Sequence, residues 1–254
     1  MQPPAWTARL AHWLGQTLLP RSCPGCGQPW LERAALCCAR CATRLAGLVG
    51  RPYCPSCAAE ASPLLLRDGR CPRCSSLSQP HKALARVGPY RDILGQLINR
   101  YKYHRAQNLD RLLAELLYAS LQAADWFDRI DLIVPVPTHW SRRLARGYDH
   151  TALLARQLAE RASRRFVPAL RAARPLRHQV GLNFQQRQQN VRGAFAAKSW
   201  IRHCRSGICL LDDVTTTGAT LREAGRTLRL AGAEQLYAAV LAKAELSPSS
   251  PLQP

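Results

Sequence analysis

The chain is short of acids, lysine and methionine. Its 254 residues include 16 acids against 36 basic residues, one methionine and only four lysines, so arginine carries nearly all the positive charge. The net charge of +20 and the pI near 10.4 favour anionic binding partners such as nucleic acid, anionic lipid or a phosphorylated substrate. Residues 131–205 alone hold fifteen basic residues against three acids. Arginine suits bidentate phosphate contacts, but a GC-rich genome would give the same bias.

Long apolar runs are also missing. No stretch reaches about 18 apolar residues, which argues against a membrane-spanning helix. The N-terminal stretch has no basic start, no unbroken apolar centre and no clean cleavage site, so a signal peptide is not expected. Large apolar side chains recur there at helical spacing: Trp6, Leu10, Trp13, Leu14 and Leu18. We therefore expect a docking helix over residues 1–19 and a cytoplasmic protein.

One motif combines a short apolar strand with acids, threonines and a glycine: ICLLDDVTTTGAT, residues 208–220. Helix-spaced apolar residues follow it, so the motif is predicted to be a strand-to-helix turn. Carboxylates at the end of a strand can accept hydrogen bonds from sugar hydroxyls, and a helix N-terminus offers N–H groups to a phosphate. The pattern fits a phosphorylated sugar. The competing interpretation is an acidic turn with a threonine-rich helix cap. A Walker loop is excluded because its Gly-Lys-Ser/Thr ending is absent.

Cysteine pairs give the second signal. Eight of the eleven cysteines form four Cys-x-x-Cys pairs: Cys23 with Cys26, Cys38 with Cys41, Cys54 with Cys57, and Cys71 with Cys74. Repeated pairs at this spacing are typical of tetrahedral zinc sites, and a disulfide framework is not expected without a secretory signal. Sequential pairing into two sites is the simplest arrangement, and crossed pairing stays open. Cys37 is an alternative ligand to its neighbour Cys38, with the pair shifted by one residue. Cys204 and Cys209 are interpreted as incidental or buried thiols.

Beyond a Pro- and Ser-containing stretch near residue 80, apolar spacing alternates between helix and strand. Helical spacing covers residues 93–98 and 109–121 and begins again at Asp149. The segment DLIVPVP at 131–137 and the segments near 166, 208–212 and 236–242 predict strands. An alternating scheme of this kind predicts an α/β fold with a mainly parallel sheet flanked by helices.

The segment LLDDVTTTGAT resembles the phosphoribosyl pyrophosphate (PRPP) motif of type I phosphoribosyltransferases. The resemblance implies that Asp212 and Asp213 are catalytic residues that hold the ribose hydroxyls. It also implies a wrapping of the 5-phosphate by the loop residues, namely Thr215, Thr216, Thr217, Gly218, Ala219 and Thr220.

Three further blocks resemble the ComF-type competence proteins: VPVPTHWSRRLARGYDHTALLARQLA, HQVGLNFQQRQQNVRGAF and INRYKYH. This chain departs from the family pattern at Tyr148-Asp149-His150, where the family has Phe-Asn-Gln, and at Leu176. The resemblance implies a pyrophosphate loop and a mobile loop over 174–193 that closes on the reaction. The PRPP-binding residues that the resemblance implies in and near these two loops are Val136, Pro137, Thr138, Arg142, Arg143, Arg146 and Arg187.

Together these observations predict a helix at 1–19, a double zinc ribbon at 20–80 and a disordered tail at 246–254. The resemblance implies that residues 81–245 form a type I phosphoribosyltransferase-like domain. Two structural zinc ions, and Mg²⁺ with PRPP, are the expected cofactors. The expected function is PRPP binding linked to DNA uptake, with pentosyl transfer from PRPP to an acceptor as the enzymatic form. The alternatives are a single-stranded-DNA-binding accessory of the uptake machinery and a PRPP sensor.

Overall fold

A computed structural model describes residues 22–30, 35–74, 77–103, 109–138, 148–174 and 184–245. The predicted helix at 1–19, the tail at 246–254, Leu176 and the arginines Arg142, Arg143 and Arg146 lie outside these ranges. The helices are α1 (Ala39–Ala46), α2 (Asp92–Tyr103), α3 (Asp110–Gln122), α4 (His150–Arg161), α5 (Phe184–Val191) and α6 (Ala219–Leu230). The strands are β1 (Leu84–Pro89), β2 (Leu132–Pro135), β3 (Arg165–Phe166), β4 (Leu170–Ala172), β5 (Phe195–Ala197), β6 (Ile208–Thr215) and β7 (Leu236–Lys243).

Five strands form one parallel sheet in the order β1-β7-β6-β2-β3. Strands β6 and β7 are buried along almost their whole length, as expected for a sheet covered on both faces. The predicted mainly parallel sheet with flanking helices is confirmed. Strand β1 and the antiparallel pair β4–β5 were not predicted, because their apolar runs are short.

The sheet has two faces, which we name after the two acids of β6. The Asp213 face carries α2, α3 and α4, and its core contains Cys209 and Leu211 of β6. The Asp212 face carries α6 and the β4–β5 pair, and its core contains Ile208 and Leu210. Successive side chains of a strand point to opposite faces, so the two neighbouring acids are separated by the sheet.

Part of the predicted mobile loop is a helix. Residues 184–191 form α5, which packs against α6, although the sequence of this stretch is polar and was expected to be loop. Its glutamines and its arginine favour a helix, but the stretch has no apolar helical spacing, and packing against α6 supplies tertiary contacts that stabilise it. Residues 175–183 lie outside the described ranges.

The cysteine-rich segment packs directly on this α/β unit. Cys23, Cys41 and Leu45 belong to the core of the Asp213 face, whereas Ala58 belongs to the core of the Asp212 face. Within the described ranges no helix has the length and apolar character needed to cross a membrane.

Candidate functional site

The loop between β6 and α6 is built as an anion cradle. Thr215 ends the strand, α6 begins at Ala219, and the Thr217 hydroxyl accepts a hydrogen bond from the Ala219 N–H at 3.3 Å. Gly218 has φ +75°, a left-handed conformation in which a side chain is strained, and an added Cβ would lie 3.0 Å from Nη1 of Arg222. The turn therefore requires glycine, and it places the N-terminus of α6, whose helix dipole favours an anion, directly after the loop.

Cations hold this loop from several sides. Nη1 of Arg187, on α5, donates to the Thr216 hydroxyl at 2.8 Å, so the predicted PRPP-binding arginine does reach the loop. Lys243, at the end of β7, donates to the Thr216 carbonyl. Nη1 of Arg222 donates to the Thr217 carbonyl at 2.8 Å. Two consecutive carbonyls are thus occupied by cations, which fixes the orientation of the loop peptides.

Asp213 is held by two basic side chains from the helices of its face. Its Oδ1 lies 3.0 Å from Nζ of Lys102, and its Oδ2 lies 2.5 Å from Nε2 of His150. Burial would raise the pKa of Asp213, but the charges of Lys102 and His150 outweigh it and hold the pKa below the usual range. Burial likewise lowers the pKa of Lys102, yet the Asp213 charge leaves it raised. This carboxylate is therefore ionised.

The pKa of Asp212 is shifted in the opposite direction from that of Asp213. Burial and the negative charge of Asp213 raise the pKa of Asp212 to about 8, and Lys102 opposes this only weakly. Its Oδ1 accepts a hydrogen bond from the Asp213 N–H at 2.9 Å. The sequence implies that both acids hold ribose hydroxyls. In the structure Asp213 is a fixed carboxylate, and Asp212 holds a proton near neutral pH.

The ends of α2 and α4 are locked together, which places Lys102 and His150 on Asp213. The Tyr101 hydroxyl donates to the His150 carbonyl at 2.8 Å, and the Tyr148 hydroxyl donates to the Tyr101 carbonyl. Tyr101 is fully buried. Lys102 therefore lies on a helix that packs into the core through its neighbour Tyr101.

The predicted pyrophosphate turn lies beside the loop at residues 216–218, between β6 and α6, which we call the phosphate loop after its predicted ligand. Strand β2 neighbours β6, and the Val136 N–H donates to the Leu211 carbonyl at 2.8 Å. The Thr138 hydroxyl donates to Oδ1 of Asp149 at 3.2 Å, and the same oxygen caps α4 by accepting from the Ala152 N–H. The turn and the loop thus meet at the carboxyl edge of the parallel sheet, where open α/β sheets bind their ligands.

The eight paired cysteines form two groups, in sequential order. The first group is Cys23, Cys26, Cys38 and Cys41, and the second group is Cys54, Cys57, Cys71 and Cys74; in each, the four sulfurs lie within 4.8 Å of one another. Neighbouring sulfurs of the second group are 3.6 to 3.8 Å apart. Ligands on a tetrahedral zinc ion are separated by about 3.8 Å, from Zn–S bonds of about 2.3 Å. The predicted sequential pairing is confirmed, and either group could hold a metal ion.

The two groups differ in construction. In the first group the second pair lies at the start of α1, with Cys38 as the N-cap residue. In the second group both pairs lie in turns. Each group contains one N–H to sulfur hydrogen bond of 3.3 Å, from Cys38 to Cys23 and from Cys71 to Cys54. Such contacts orient and stabilise thiolate ligands.

Sequence reasoning missed Lys102, His150, Arg222 and Lys243 as site residues. Two of the four lysines of the chain contact this site, and Lys243 ends a strand that is paired with β6. A rare basic residue at the carboxyl end of a neighbouring parallel strand is the signal that could have found it.

No protein-family model matches the chain. It is similar to competence protein F of Haemophilus influenzae, with 32% identity over 203 residues that cover 76% of this chain and 85% of that protein. The chain belongs to the competence protein F (ComF) family. Other relatives include the DNA utilization protein YhgH of Salmonella typhimurium, with 29% identity over 82% of this chain and 92% of that protein. The YhgH protein of Escherichia coli K12 is 28% identical over 72% of this ComF chain and 80% of its own length.

Among solved structures, this ComF protein is similar to the glutamine PRPP amidotransferase from B. subtilis complexed with ADP and GMP. The TM-score is 0.39 at 19% identity, over 56% of this chain and 30% of that one. A structure described as the allosteric regulatory enzyme of purine biosynthesis gives a TM-score of 0.37 at 19% identity, with the same coverage. The ComF chain spans 30% of the length of each solved chain.

Proposed function

We propose that this protein binds PRPP at the loop between β6 and α6. The observation that carries the proposal is the loop itself: a left-handed Gly218 opens a helix N-terminus, Arg187 contacts the Thr216 hydroxyl, and two acids precede it on the strand. A phosphate is a dianion that backbone N–H groups and a guanidinium bind well, and a ribose ring supplies hydroxyl donors for carboxylates. PRPP combines both groups in one molecule.

Within this proposal the two acids have different roles. Asp213, fixed by Lys102 and His150, keeps a negative charge beside the sugar and would stabilise positive charge that develops on the ribose ring. Asp212, with its pKa raised to about 8, can donate or accept a hydrogen bond at a ribose hydroxyl near neutral pH.

The enzymatic form of the proposal is pentosyl transfer. A nitrogen acceptor would attack C1 of PRPP, a C1–N bond would form, and the C1–O bond would break with its electron pair leaving on pyrophosphate, while the acceptor loses a proton. Mg²⁺ would supply charge neutralisation of the pyrophosphate when bound, and Asp212, once it has lost its proton, would offer the hard oxygen ligand that this ion prefers. Arg142, Arg143 and Arg146 are proposed to bind the leaving pyrophosphate. Screening nitrogen acceptors for pyrophosphate release tests this form.

We also propose that the metal of both cysteine groups is zinc. The support is the set of four thiols at tetrahedral spacing in each group, since soft thiolate ligands select zinc among the common divalent ions. Elemental analysis of protein purified under reducing conditions is expected to give two zinc ions per chain, and a value near one would overturn one of the two sites.

The relatives carry names that refer to competence and to DNA utilization. Competence is the uptake of external DNA, so we propose that PRPP binding here serves a cytoplasmic step of DNA uptake. A strain in which this chain is deleted should lose transformation. Restoring the wild-type gene should recover it, and the Thr216→Val variant should not.

Calorimetric titration of zinc-loaded protein with PRPP and Mg²⁺ tests the binding proposal. We expect saturable binding, a raised melting temperature at millimolar PRPP, and an affinity at least about tenfold lower for Thr216→Val, which loses the hydroxyl that Arg187 contacts. Thr227→Val is the matched control, because its hydroxyl donates to the Glu223 carbonyl within the same helix, α6. Absence of both heat and thermal shift in the wild-type protein would overturn the proposal.

A second candidate function is direct contact with single-stranded DNA. A cavity of about 650 Å³ between α5 and α6 is lined by four arginines, Arg192, Arg222, Arg226 and Arg229, and its one acid, Glu223, is paired with Arg226 at 2.8 Å. A phosphodiester backbone would find a net positive surface there.

The salt dependence of DNA affinity tests this candidate. Arg192→Ala should lower the slope of log affinity against log salt by about 0.7, the value for one phosphate contact on a single strand. Arg44→Ala, on the exposed last turn of α1, should leave the slope unchanged. DNA affinity that does not vary with salt would remove this function and leave PRPP binding untouched.

A further inference from the structure

An apolar groove separates α1, in the cysteine-rich segment, from α3, in the helical layer of the Asp213 face. Its volume is about 570 Å³, which is in the range of a binding pocket for large apolar groups. The two helices line it with one face each: Ala42, Leu45 and Ala46 of α1, and Leu112, Leu116 and Ala119 of α3. The described residues that line the groove include no charged side chain.

The spacing of the lining residues is that of helix faces that pack against another helix. On α3 they lie at positions i, i+4 and i+7, and on α1 at i, i+3 and i+4. Leu45 and Leu112 are buried in the same core at the base of the groove. Ala42 and Ala46 are exposed, and Leu36, which also lines the groove, is 38% exposed. A third helix could therefore pack on both faces and cover this apolar rim.

The chain that precedes the described residues carries an apolar stripe of matching spacing. The residues at i, i+4, i+7, i+8 and i+12 from Trp6 are all large and apolar: Leu10, Trp13, Leu14 and Leu18 complete the stripe. His12 falls on the opposite side of the helical repeat. A single helix of about 15 residues is marginally stable in water, so it depends on an apolar surface to pack against. Helices that bind in apolar grooves use anchors at this spacing.

The described chain begins beside the groove. The first described residue is Ser22, and the Sγ of the next residue, Cys23, accepts a hydrogen bond from the Cys38 N–H at 3.3 Å. Cys38 directly follows Cys37, which lines the groove. The four residue steps from Leu18 to Ser22 span at most about 14 Å, so the stripe must end close to Ser22. So short a connection gives the segment an effective concentration of about millimolar at nearby surfaces, which favours it over a separate molecule.

We propose that the predicted helix at residues 1–19 docks in the groove between α1 and α3 of its own chain, with the stripe from Trp6 to Leu18 as the buried face. The docked helix contacts α1 on one side and α3 on the other. It thereby ties the first cysteine group, which includes Cys41 of α1, to the helical layer of the sheet. This interaction is independent of the ligand of the phosphate loop.

Photocrosslinking of the full-length protein identifies the occupant of the groove. Trp13→benzoylphenylalanine places a photoreactive group on the apolar stripe, and His12→benzoylphenylalanine places it on the opposite side of the helical repeat. We expect the first variant to crosslink within one chain to residues 35–49 or 112–119, mapped by mass spectrometry of the peptides, and the second variant not to do so. Crosslinks between chains would show that a second copy fills the groove. That result, crosslinks to other surfaces, or none would overturn the proposal.

Backbone hydrogen exchange at residues 10–18 of the full-length protein tests the docked state itself. Ala46→Glu places a charge in the groove, and Thr43→Glu places one at another exposed position of α1 that does not line it. Exchange at 10–18 should rise at least about tenfold in Ala46→Glu and stay within about twofold of wild type in Thr43→Glu. Unchanged exchange in β6 and β7 shows that each variant is folded.

Two variants of the segment itself keep the result decisive if Ala46→Glu disturbs α1. Trp13→Glu should raise exchange at 10–18 at least about tenfold, whereas His12→Glu should stay within about twofold of wild type. Wild-type exchange at these residues in Trp13→Glu would overturn the proposal, and so would rapid exchange at these residues in the wild-type protein.

Discussion

The two faces of the parallel sheet treat adjacent carboxylates of one strand in opposite ways. On the Asp213 face, helices supply Lys102 and His150, and the acid is ionised and fixed. On the Asp212 face no helix supplies a matching cation to the acid among the described residues, and its pKa rises to about 8. Alternation along a strand thus turns two identical residues into two chemically different groups, because each is solvated by a different layer of the protein.

The same division extends to the cysteine groups. The first group contributes to the core of the Asp213 face, whereas the second is bound to β1, the edge strand of the sheet. One group packs against a helical layer, and the other packs against the edge strand. Variants that remove the cations or carboxylates in which the two faces and the two cysteine groups differ show whether these differences affect stability and binding.

Removing the cation from Asp213 should have the largest effect. Lys102→Met leaves a buried carboxylate with His150 alone, and we expect unfolding free energy to fall by about 3 kcal/mol in urea denaturation near neutral pH. The folded pKa of Asp213 is lowered, so the pair stabilises the protein above the ordinary pKa of about 4 and this contribution is lost as pH falls. The cost should therefore shrink in acid. Lys198→Met, at an exposed position, is the control, and an equal cost in both variants would contradict the account.

Asp212→Asn should act in the opposite direction on stability. The folded pKa is raised to about 8, so ionisation costs stability as pH rises from about 4 through 8, and asparagine avoids that cost. We expect Asp212→Asn to be more stable than wild type by on the order of 2 kcal/mol above pH 8 and equal to it near pH 4, although PRPP affinity falls. Thermal unfolding across pH measures this. A variant that is less stable than wild type at high pH would show that Asp212 is not strained by its surroundings.

Two arginines sharpen the comparison of the cysteine groups. Arg86 and Arg100 each donate to a carbonyl in the first turn of one group, at 2.8 and 2.6 Å, but Arg86 is buried and Arg100 is exposed. Arg86→Leu should speed the release of one zinc ion to a chelator by about tenfold, because a buried cation that compensates the thiolates is lost, and Arg100→Leu should stay within about twofold of wild type. Similar release rates in both variants would mean that the groups are electrostatically alike.

The smallest expected effect is conformational. Gly27, in the turn of the first group, has φ +75° and open space where a Cβ would lie, so Gly27→Ala should cost only the left-handed strain, about 1 kcal/mol. Ala58 occupies the matching position of the second group with φ +63°. Gly47→Ala, at φ −67°, is the control and should cost nothing measurable. Thermal unfolding decides between these outcomes.

Much of this architecture follows from local sequence. The strand at 208–215, the glycine turn and the helix after it are specified by a short apolar run and by Gly218, and the cysteine spacing is specified by the turns between the paired residues. Asp149 as the N-cap of α4 also follows from its residue type. These features depend on neighbours in sequence, which is why they could be predicted.

The unpredicted part depends on distant residues. Lys102 and His150 are separated from Asp213 by more than 60 residues, and Lys243 meets Thr216 only because β7 pairs with β6. His150, one of the positions at which this chain departs from the family pattern, contacts the Asp213 carboxylate through its side chain. Helix α5 was expected to be loop because its polar sequence gives no sign of the contact with α6 that stabilises it.

The most direct test of the central claim is backbone amide NMR of zinc-loaded protein during titration with PRPP and Mg²⁺. The account predicts saturable shifts of the Thr216, Thr217, Gly218 and Ala219 amide resonances, with the same dissociation constant as calorimetry. It predicts no comparable shifts at residues 39–46 of α1, which lies beside the first cysteine group. Saturable binding with unshifted loop amides would place PRPP elsewhere and contradict the account, and no binding at millimolar PRPP would remove the proposed ligand.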